Sequence, residues 1–348
     1  MSRERNIVYD WLRVIATLMV LIGHSSYLNI HTEIGGISYI LHENINPVYY
    51  SWPFMLFRKL SGAVYGFHMP LFFMLSGAVL ALNDDKDFDS FVSAKIKRLI
   101  IPYFVCGLGF MLPVKYLGNF YTSDNFMAAV KSFLVGGESG HLWFLPALFW
   151  CTVSFSIARR LLLSKGVKSV YALTLLCVIC VKGGGGFTQL NIAGFSTGMR
   201  YIFWFITGYA FEVRRKYYTS WSAKRIIAAL IAVTCLSAGA VMLRPESGNF
   251  IIIAGCACSY LASVLFARSF PKIMRTSYWQ LLVRNLFAVY LFHAPLEYIV
   301  LRIFMTTDCM TGAAGCIAYV LSRTLLILAV SIMLGECVSA IRRRINDY

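Results

Sequence analysis

The chain has 348 residues, of which 58% are hydrophobic and only 14% are charged. Its mean hydropathy of +0.66 is far above what the core of a soluble domain requires, so a soluble globular enzyme is excluded. The net charge of +16 comes from basic residues that lie between apolar runs. This arrangement indicates contact with the anionic head groups of a lipid bilayer and argues against a nucleic-acid-binding surface. The composition therefore predicts a polytopic membrane protein.

Ten apolar runs approach the length of about 20 residues that a helix needs to cross hydrocarbon. We therefore expect an all-α bundle of about ten transmembrane helices that forms a single domain over residues 1–348. In chain order, the predicted spans are Tyr9–Ile30, Val64–Leu82, Leu99–Leu117, Leu142–Leu163, Val167–Val181, Met199–Val213, Ile226–Leu243, Phe250–Ala267, Asn285–Met305 and Gly315–Ile341.

The joints between these spans indicate the orientation. Most of the 32 Lys and Arg residues fall on alternate joints, which places those joints and both termini in the cytoplasm. On the outer side, the stretch His31–Ala63 is long enough to form a lid or a re-entrant segment. We expect the ten cysteines to serve mainly as small buried side chains, although Cys309 and Cys316 could form a disulfide.

The first apolar run, Trp11–Tyr27, carries Arg13 and His24 eleven residues apart. At a helical rise of about 1.5 Å per residue, they lie about 16 Å apart along the helix axis. Ionisable groups are costly inside a membrane helix, so both are functional candidates. Two simpler readings stay open: Arg13 could extend to the inner interface and pair with Asp10, and His24 could be a packed histidine.

Later runs contain four further motifs and one unexplained charge. In the second run, the pair Ser76-Gly77 predicts a close approach between helices, because small residues let backbones meet. Arg323 lies near the middle of the tenth run and requires a carboxylate, a carbonyl or water, but the sequence identifies no partner. The motifs are Phe67–Gly77 (FHMPLFFMLSG), Lys95–Arg98 (KIKR), His141–Leu145 (HLWFL) and Tyr290–Pro295 (YLFHAP).

In their order and spacing, these motifs resemble the acyltransferase 3 family of bacterial inner-membrane acyltransferases, particularly the members that O-acetylate sugars of surface polysaccharides. Arg13, ten intervening residues and His24 match the first-helix signature of the family. The family's Arg-x-x-Arg at the inner end of the third helix is replaced here by Lys95-x-x-Arg98. Lysine keeps the charge but lacks the bidentate fork of arginine, so this position would bind a phosphate differently.

The resemblance implies transfer of an acyl group, usually acetyl, from cytoplasmic acyl-coenzyme A to a hydroxyl of a surface or lipid-linked glycan. It also implies the bacterial inner membrane as the location. Acetyl-coenzyme A would be a donor substrate, with no permanently bound cofactor and no metal. Basic residues suit the coenzyme phosphates, and the candidates for that role are Arg13, Lys95, Lys97 and Arg98.

For the chemistry, His24 is the first candidate, either as general base or as a transient acyl carrier. His68 could line the approach of the acceptor, and Glu297 could orient or polarise a histidine. Ser76, Tyr290 or an indole N–H could donate to the oxyanion of the tetrahedral intermediate. The candidates for binding the acceptor are His141, Trp143, Ser76 and His293.

Two other classes of protein are compatible with the pattern. A transporter or flippase of a glycan precursor also has many helices with internal charges, but the chain shows no inverted repeat. A membrane sensor or assembly subunit would have no use for the Arg13 and His24 pair. The acyl group could be succinyl in place of acetyl, and the sequence does not select the acceptor glycan or an oligomeric state.

Overall fold

The computed structural model describes residues 6–27, 29–38, 51–82, 87–164, 192–215, 221–243, 248–304 and 312–346. These residues are almost entirely helical, which confirms the predicted all-α fold. The exception in this part of the chain is a short antiparallel hairpin, β1 Asn29–His31 with β2 Gly36–Ser38, in which Ile30 pairs with Ile37.

The helices follow one another in chain order, and short 3₁₀ turns precede three of them. These turns are Gly140–Trp143 before α5, Ile192–Gly194 before α6 and Ile273–Arg275 before α9. The helices are α1 Ile7–His24, α2 Trp52–Ala81, α3 Phe88–Leu117, α4 Ser123–Leu134, α5 Phe144–Ser164, α6 Phe195–Val213, α7 Ala223–Leu243, α8 Gly248–Ser269, α9 Ser277–Phe304 and α10 Gly312–Asn346.

Among the described residues, six helices are long and apolar enough to cross a membrane. These are α1, α2, α3, the segment Gly140–Leu161 that includes most of α5, α8 and α10. The predicted spans that correspond to α6, α7 and α9 are also helical. The fifth predicted span, Val167–Val181, lies outside the described residues, as does Cys309 of the possible disulfide.

Several predicted boundaries were wrong because the sequence pattern ended helices at polar side chains. α2 begins at Trp52 and not at Val64, so the part of the stretch His31–Ala63 from Trp52 onward is continuous with the helix of the second predicted span. α3 begins at Phe88 and not at Leu99. A helix satisfies its own backbone hydrogen bonds whatever the side chains carry, so exposed charges such as Arg58 do not interrupt it.

Two π-helical turns interrupt the regular hydrogen bonding of α3, at Ile96–Ile100 and Gly107–Met111. Each turn ends two residues before a proline, Pro102 or Pro113. Proline has no N–H, so the carbonyl four residues earlier loses its normal donor and the helix rearranges locally. The basic cluster of the sequence motif therefore lies at an irregular turn, a kind of feature that is frequent at functional sites.

The described residues divide into two compact units. The first unit comprises the described residues within Met1–His68, Pro113–Thr122 and Ser222–Tyr348. The second unit comprises those within Met69–Leu112 and Ser123–Trp221. The single domain predicted from the sequence stays a prediction.

In the first unit, α1 packs against α8, α9 and α10, and α9 packs along α10. The side chain of Asn6 accepts a hydrogen bond from the Val8 N–H at 3.2 Å and so caps the start of α1. Two apolar clusters hold the faces of α1. One contains Val14, Trp279, Val283 and Leu286, and the other contains Leu21, Val289, Val300 and Ile327.

In the second unit, glycines let two helix backbones touch. A Cβ atom on Gly208 of α6 would lie 1.8 Å from the carbonyl oxygen of Met74, and one on Gly77 of α2 would lie 1.9 Å from that of Phe205. These distances confirm the close approach predicted from the Ser76-Gly77 pair. Similarly, the ring of Phe133 in α4 fills the space over Gly107 of α3, where a Cβ would lie 2.0 Å from Phe133 Cζ.

Candidate active site

His24 is the last residue of α1, and other polar rings of the first unit surround it. Its Nε2 atom lies 2.5 Å from the hydroxyl of Tyr65 in α2. The ring centroid of His293 lies 5.0 Å away at an interplanar angle of 85°, and that of Tyr27 lies 5.4 Å away. The predicted catalytic histidine therefore belongs to a group of side chains that can exchange protons.

His68 and His293 are each tied to the backbone of their own helix. His68 Nδ1 lies 3.1 Å from the Val64 carbonyl oxygen, and His293 Nδ1 lies 2.9 Å from that of Tyr290. A carbonyl oxygen only accepts hydrogen bonds, so Nδ1 of each ring donates and carries a hydrogen. In the neutral rings, Nε2 is then the acceptor. His293 contacts His24 directly, and the ring of His68 lies 4.7 Å from that of Tyr65.

Hydroxyl groups satisfy the backbone where α1 ends beside His24. Ser26 Oγ donates to the Gly23 carbonyl oxygen at 2.7 Å, and Ser61 Oγ donates to the same oxygen at 3.3 Å. The last carbonyls of a helix have no partner within the helix, so they need donors from elsewhere. These bonds hold the backbone next to His24 in place.

Arg323 of α10 holds the same helix end from the other side. Its guanidinium donates to the carbonyl oxygens of Ser25 at 3.1 Å and Tyr27 at 3.0 Å, and to the Tyr319 hydroxyl at 2.9 Å. It also forms an ion pair with Glu297 of α9. Both side chains are buried, with exposures of 0% and 2%. A cation at the carboxyl end of α1 also complements the helix dipole.

The structure thus supplies the partners of Arg323 that the sequence did not identify. The signal was present, because opposite charges inside membrane helices are expected to pair. However, the carbonyls that Arg323 binds belong to residues almost 300 positions away in the chain. Glu297 was predicted to orient a histidine, and here it forms an ion pair with Arg323. The catalytic role of Glu297 stays a prediction. Glu297 is connected to the end of α1 through Arg323, which donates to the Ser25 carbonyl oxygen.

Arg13 lies near the other end of α1 and has a simpler environment. Its guanidinium pairs with Asp10 one turn earlier at 3.3 Å. The Arg13 side chain is 39% exposed, whereas that of Asp10 is 5% exposed. The predicted pairing is therefore present, and the exposed guanidinium is also compatible with the predicted binding of phosphate.

The other candidates for donor binding lie on α3 in the second unit. The ammonium of half-buried Lys95 lies 5.3 Å from the centroid of the Phe91 ring. Lys97 and Arg98 are exposed and belong to the first π turn, which packs against α5. Their binding of phosphate stays a prediction.

The candidates for acceptor binding include three residues of the second unit. His141 and Trp143 are half-buried in the 3₁₀ turn before α5, and the Trp143 ring lies 5.6 Å from that of Tyr201. Ser76 Oγ donates to the Phe72 carbonyl oxygen at 2.8 Å, so its hydrogen is used within α2. Ser76 as an oxyanion donor therefore has no geometric support here.

Sequence reasoning missed Tyr65, whose hydroxyl lies 2.5 Å from His24 Nε2. Nothing in the sequence distinguishes this tyrosine from the other 19 in the chain. It also missed Lys115, which is buried at the end of α3 and donates to the Tyr121 hydroxyl at 3.0 Å. The Lys115 ammonium lies 4.1 Å from the centroid of the Phe120 ring, so aromatic faces stabilise this buried charge.

The fold and these side chains define a multi-pass membrane protein with histidine and tyrosine side chains grouped at the end of α1. The model of the acyltransferase 3 family, described as an acyltransferase domain, matches residues 6–336. The chain therefore belongs to this family and is a membrane acyltransferase. A search of curated proteins and a search of solved structures returned no match.

Proposed function

We propose that the protein moves an acyl group, most simply acetyl, from cytoplasmic acyl-coenzyme A to a hydroxyl of a cell-surface or lipid-linked glycan. In this proposal the protein works in the bacterial inner membrane. The observation that carries it is the placement of His24, in a chain of the acyltransferase 3 family, among groups that can exchange protons. His24 acts as general base or as transient acyl carrier.

The proposed acceptor reaction needs a base at the hydroxyl that attacks the thioester carbonyl. A neutral imidazole accepts a proton at one ring nitrogen and can then donate hydrogen bonds from both. The buried Glu297–Arg323 pair supports this role indirectly, because it fixes the helix end that carries His24. His68 and His293 line the same centre and are proposed to contact the acceptor.

The proposed donor site uses arginine and lysine for the phosphates of coenzyme A. Each unit has its own candidates: Arg13 in the first unit, and Lys97 and Arg98 in the second, have the required charge and are at least partly exposed. Arginine binds phosphate in a bidentate manner, while lysine contributes a point charge. In the second unit, the aromatic rings of Trp143 and Tyr201 are proposed to pack against the sugar of the acceptor.

The experiment follows labelled acetyl groups from acetyl-coenzyme A into the glycan fraction of inverted membrane vesicles that contain the full chain. We expect His24→Ala to lower transfer by about 10²–10⁴-fold, the usual contribution of a general base. The matched control is His31→Ala, because His31 lies exposed in β1. A label that stays on the protein without acceptor, and is lost in His24→Ala, identifies the acyl carrier mechanism.

The same vesicles test the alternative function. Transfer at the normal rate in His24→Ala would rule out His24 as base or carrier. Movement of a glycan precursor across the membrane without any use of acetyl-coenzyme A would instead indicate a transporter.

A further inference from the structure

Tyr65 lies directly against the end of α1 that carries His24. A Cβ atom on Gly23 would lie 3.4 Å from Tyr65 Cε2, so the tyrosine ring packs against the α1 backbone. Ser61 lies one turn earlier in α2 and binds the Gly23 carbonyl oxygen at 3.3 Å. Two contacts from one helix therefore hold the Tyr65 hydroxyl at 2.5 Å from His24 Nε2.

The Tyr65 hydroxyl differs chemically from the groups that hold the neighbouring histidines. His68 and His293 bind carbonyl oxygens through Nδ1, and a carbonyl oxygen cannot supply a proton. A phenol both donates and accepts, so Tyr65 can bind His24 before and after the imidazole takes a proton. The ring of Tyr27 lies next to that of Tyr65, with centroids 5.7 Å apart. Tyr65 is thus positioned to pass a proton through its oxygen.

We propose that Tyr65 transfers the proton between the acceptor hydroxyl and His24, an inference that rests on the proposed acyltransferase reaction. As the acceptor oxygen bonds to the thioester carbonyl carbon, its proton moves to Tyr65 Oη and the proton of Tyr65 moves to His24 Nε2. The tetrahedral intermediate then breaks its carbon–sulfur bond. The imidazolium returns one proton through the same hydroxyl to the departing thiolate. The products are the ester and the free thiol of coenzyme A, and both side chains regain their starting protonation.

The first test compares Tyr65→Phe with Tyr103→Phe in the vesicle assay with labelled acetyl-coenzyme A. Tyr103 is a buried tyrosine of the second unit whose hydroxyl donates to the Phe133 carbonyl oxygen at 3.0 Å, so its variant loses a comparable hydrogen bond. We expect Tyr65→Phe to lower kcat by about 10²-fold or more, within the range for proton transfer. The KM for acetyl-coenzyme A should stay close to normal in both variants, and Tyr103→Phe should keep its kcat.

The number of protons that move in the rate-limiting step distinguishes a relay from mere positioning, and the solvent isotope effect measures it. The wild-type rate should depend on the deuterium fraction of the solvent along a curve, and the residual rate of Tyr65→Phe along a straight line. Replacement of Tyr65 by 3,5-difluorotyrosine keeps the shape of the ring and makes the phenol more acidic. This variant should shift the pH profile of kcat to lower pH, and it remains informative if Tyr65→Phe fails to fold.

Three results would overturn the relay. These are a normal kcat in Tyr65→Phe, a straight solvent-isotope plot for the wild type, and an unchanged pH profile in the fluorinated protein. If the wild-type chain transfers no acyl group, the proposed function fails and the relay fails with it. If the wild type transfers but one of the three results is obtained, the relay alone fails.

Discussion

The contacts at the end of α1 in the first unit differ in kind from those between α2 and α6 in the second unit. The first unit buries an ion pair and several hydroxyls around the end of α1, as shown by Arg323 and Ser61. The second unit uses backbone contact at Gly77 and Gly208 and the parallel stacking of Phe73 on Tyr201, with centroids 4.6 Å apart. Polar contacts thus fix the end of α1 that carries His24, whereas contact between small residues closes the packing of α2 against α6.

The strongest test of this comparison removes the cation at the end of α1. We expect Arg323→Met to lower the free energy of unfolding by about 3–5 kcal/mol, because Glu297 would be left as an uncompensated buried charge. Acyl transfer should be lost as well, since the carbonyls of Ser25 and Tyr27 would lose their donor. Thermal unfolding in detergent and the vesicle assay measure the two effects. The control is Arg284→Met, which removes an exposed pair with Glu336 and should change little.

A double variant separates stability from positioning. Arg323→Met combined with Glu297→Leu removes both charges, and we expect much of the lost stability to return because buried pairs are often replaceable by apolar residues. Acyl transfer should remain low. Recovery of transfer together with stability would mean that the pair does not position His24.

A steric change between α2 and α6 in the second unit should lower stability without lowering the rate of acyl transfer by the folded protein. We expect Gly208→Ala to cost about 1–3 kcal/mol of stability, because the added methyl overlaps the Met74 carbonyl oxygen. The molecules that remain folded should transfer acyl groups at close to the normal rate. Gly109→Ala is the matched control, since a Cβ there meets no atom within 4 Å. A selective loss of kcat in Gly208→Ala would contradict the division of roles.

The smallest effect on stability is expected at Arg13. Because its pair with Asp10 is partly exposed, Arg13→Ala should change the free energy of unfolding by no more than about 1 kcal/mol. The KM for acetyl-coenzyme A should nevertheless rise about tenfold or more, since a charge-assisted hydrogen bond contributes about 1.5–3 kcal/mol. The KM for an acetylated pantetheine fragment without phosphates should not change. An equal rise for both donors would exclude phosphate binding by Arg13, and Arg58→Ala serves as the exposed control.

Much of the fold could be predicted because membrane helices satisfy their own backbone and require long apolar runs. The errors arose because a helix can continue past polar residues and because short helices need no long apolar run. Polar side chains near Arg58 did not end α2, so its predicted start was too late. The 12 residues of α4 are too few to span a membrane, so the pattern of long apolar runs did not include this helix. The hairpin of residues 29–38 rests on backbone pairing and on the hydrogen bond from the Gly36 N–H to the Phe120 carbonyl oxygen, which no apolar pattern reports.

The candidate site shows the same limit at the level of single residues. Arg13 and His24 could be selected from the sequence because ionisable groups are rare and costly inside an apolar run. Tyr65 could not, because tyrosines are common in membrane helices and this one is distinguished only by its contact with His24 Nε2. Composition and spacing are local properties, so the class of protein, the helical architecture and the choice of His24 as the first candidate for the chemistry all follow from the sequence. The pairing of Arg323 with Glu297 at the end of α1 and the contact of Tyr65 with His24 depend on the packing of helices, because those contacts join residues on different helices.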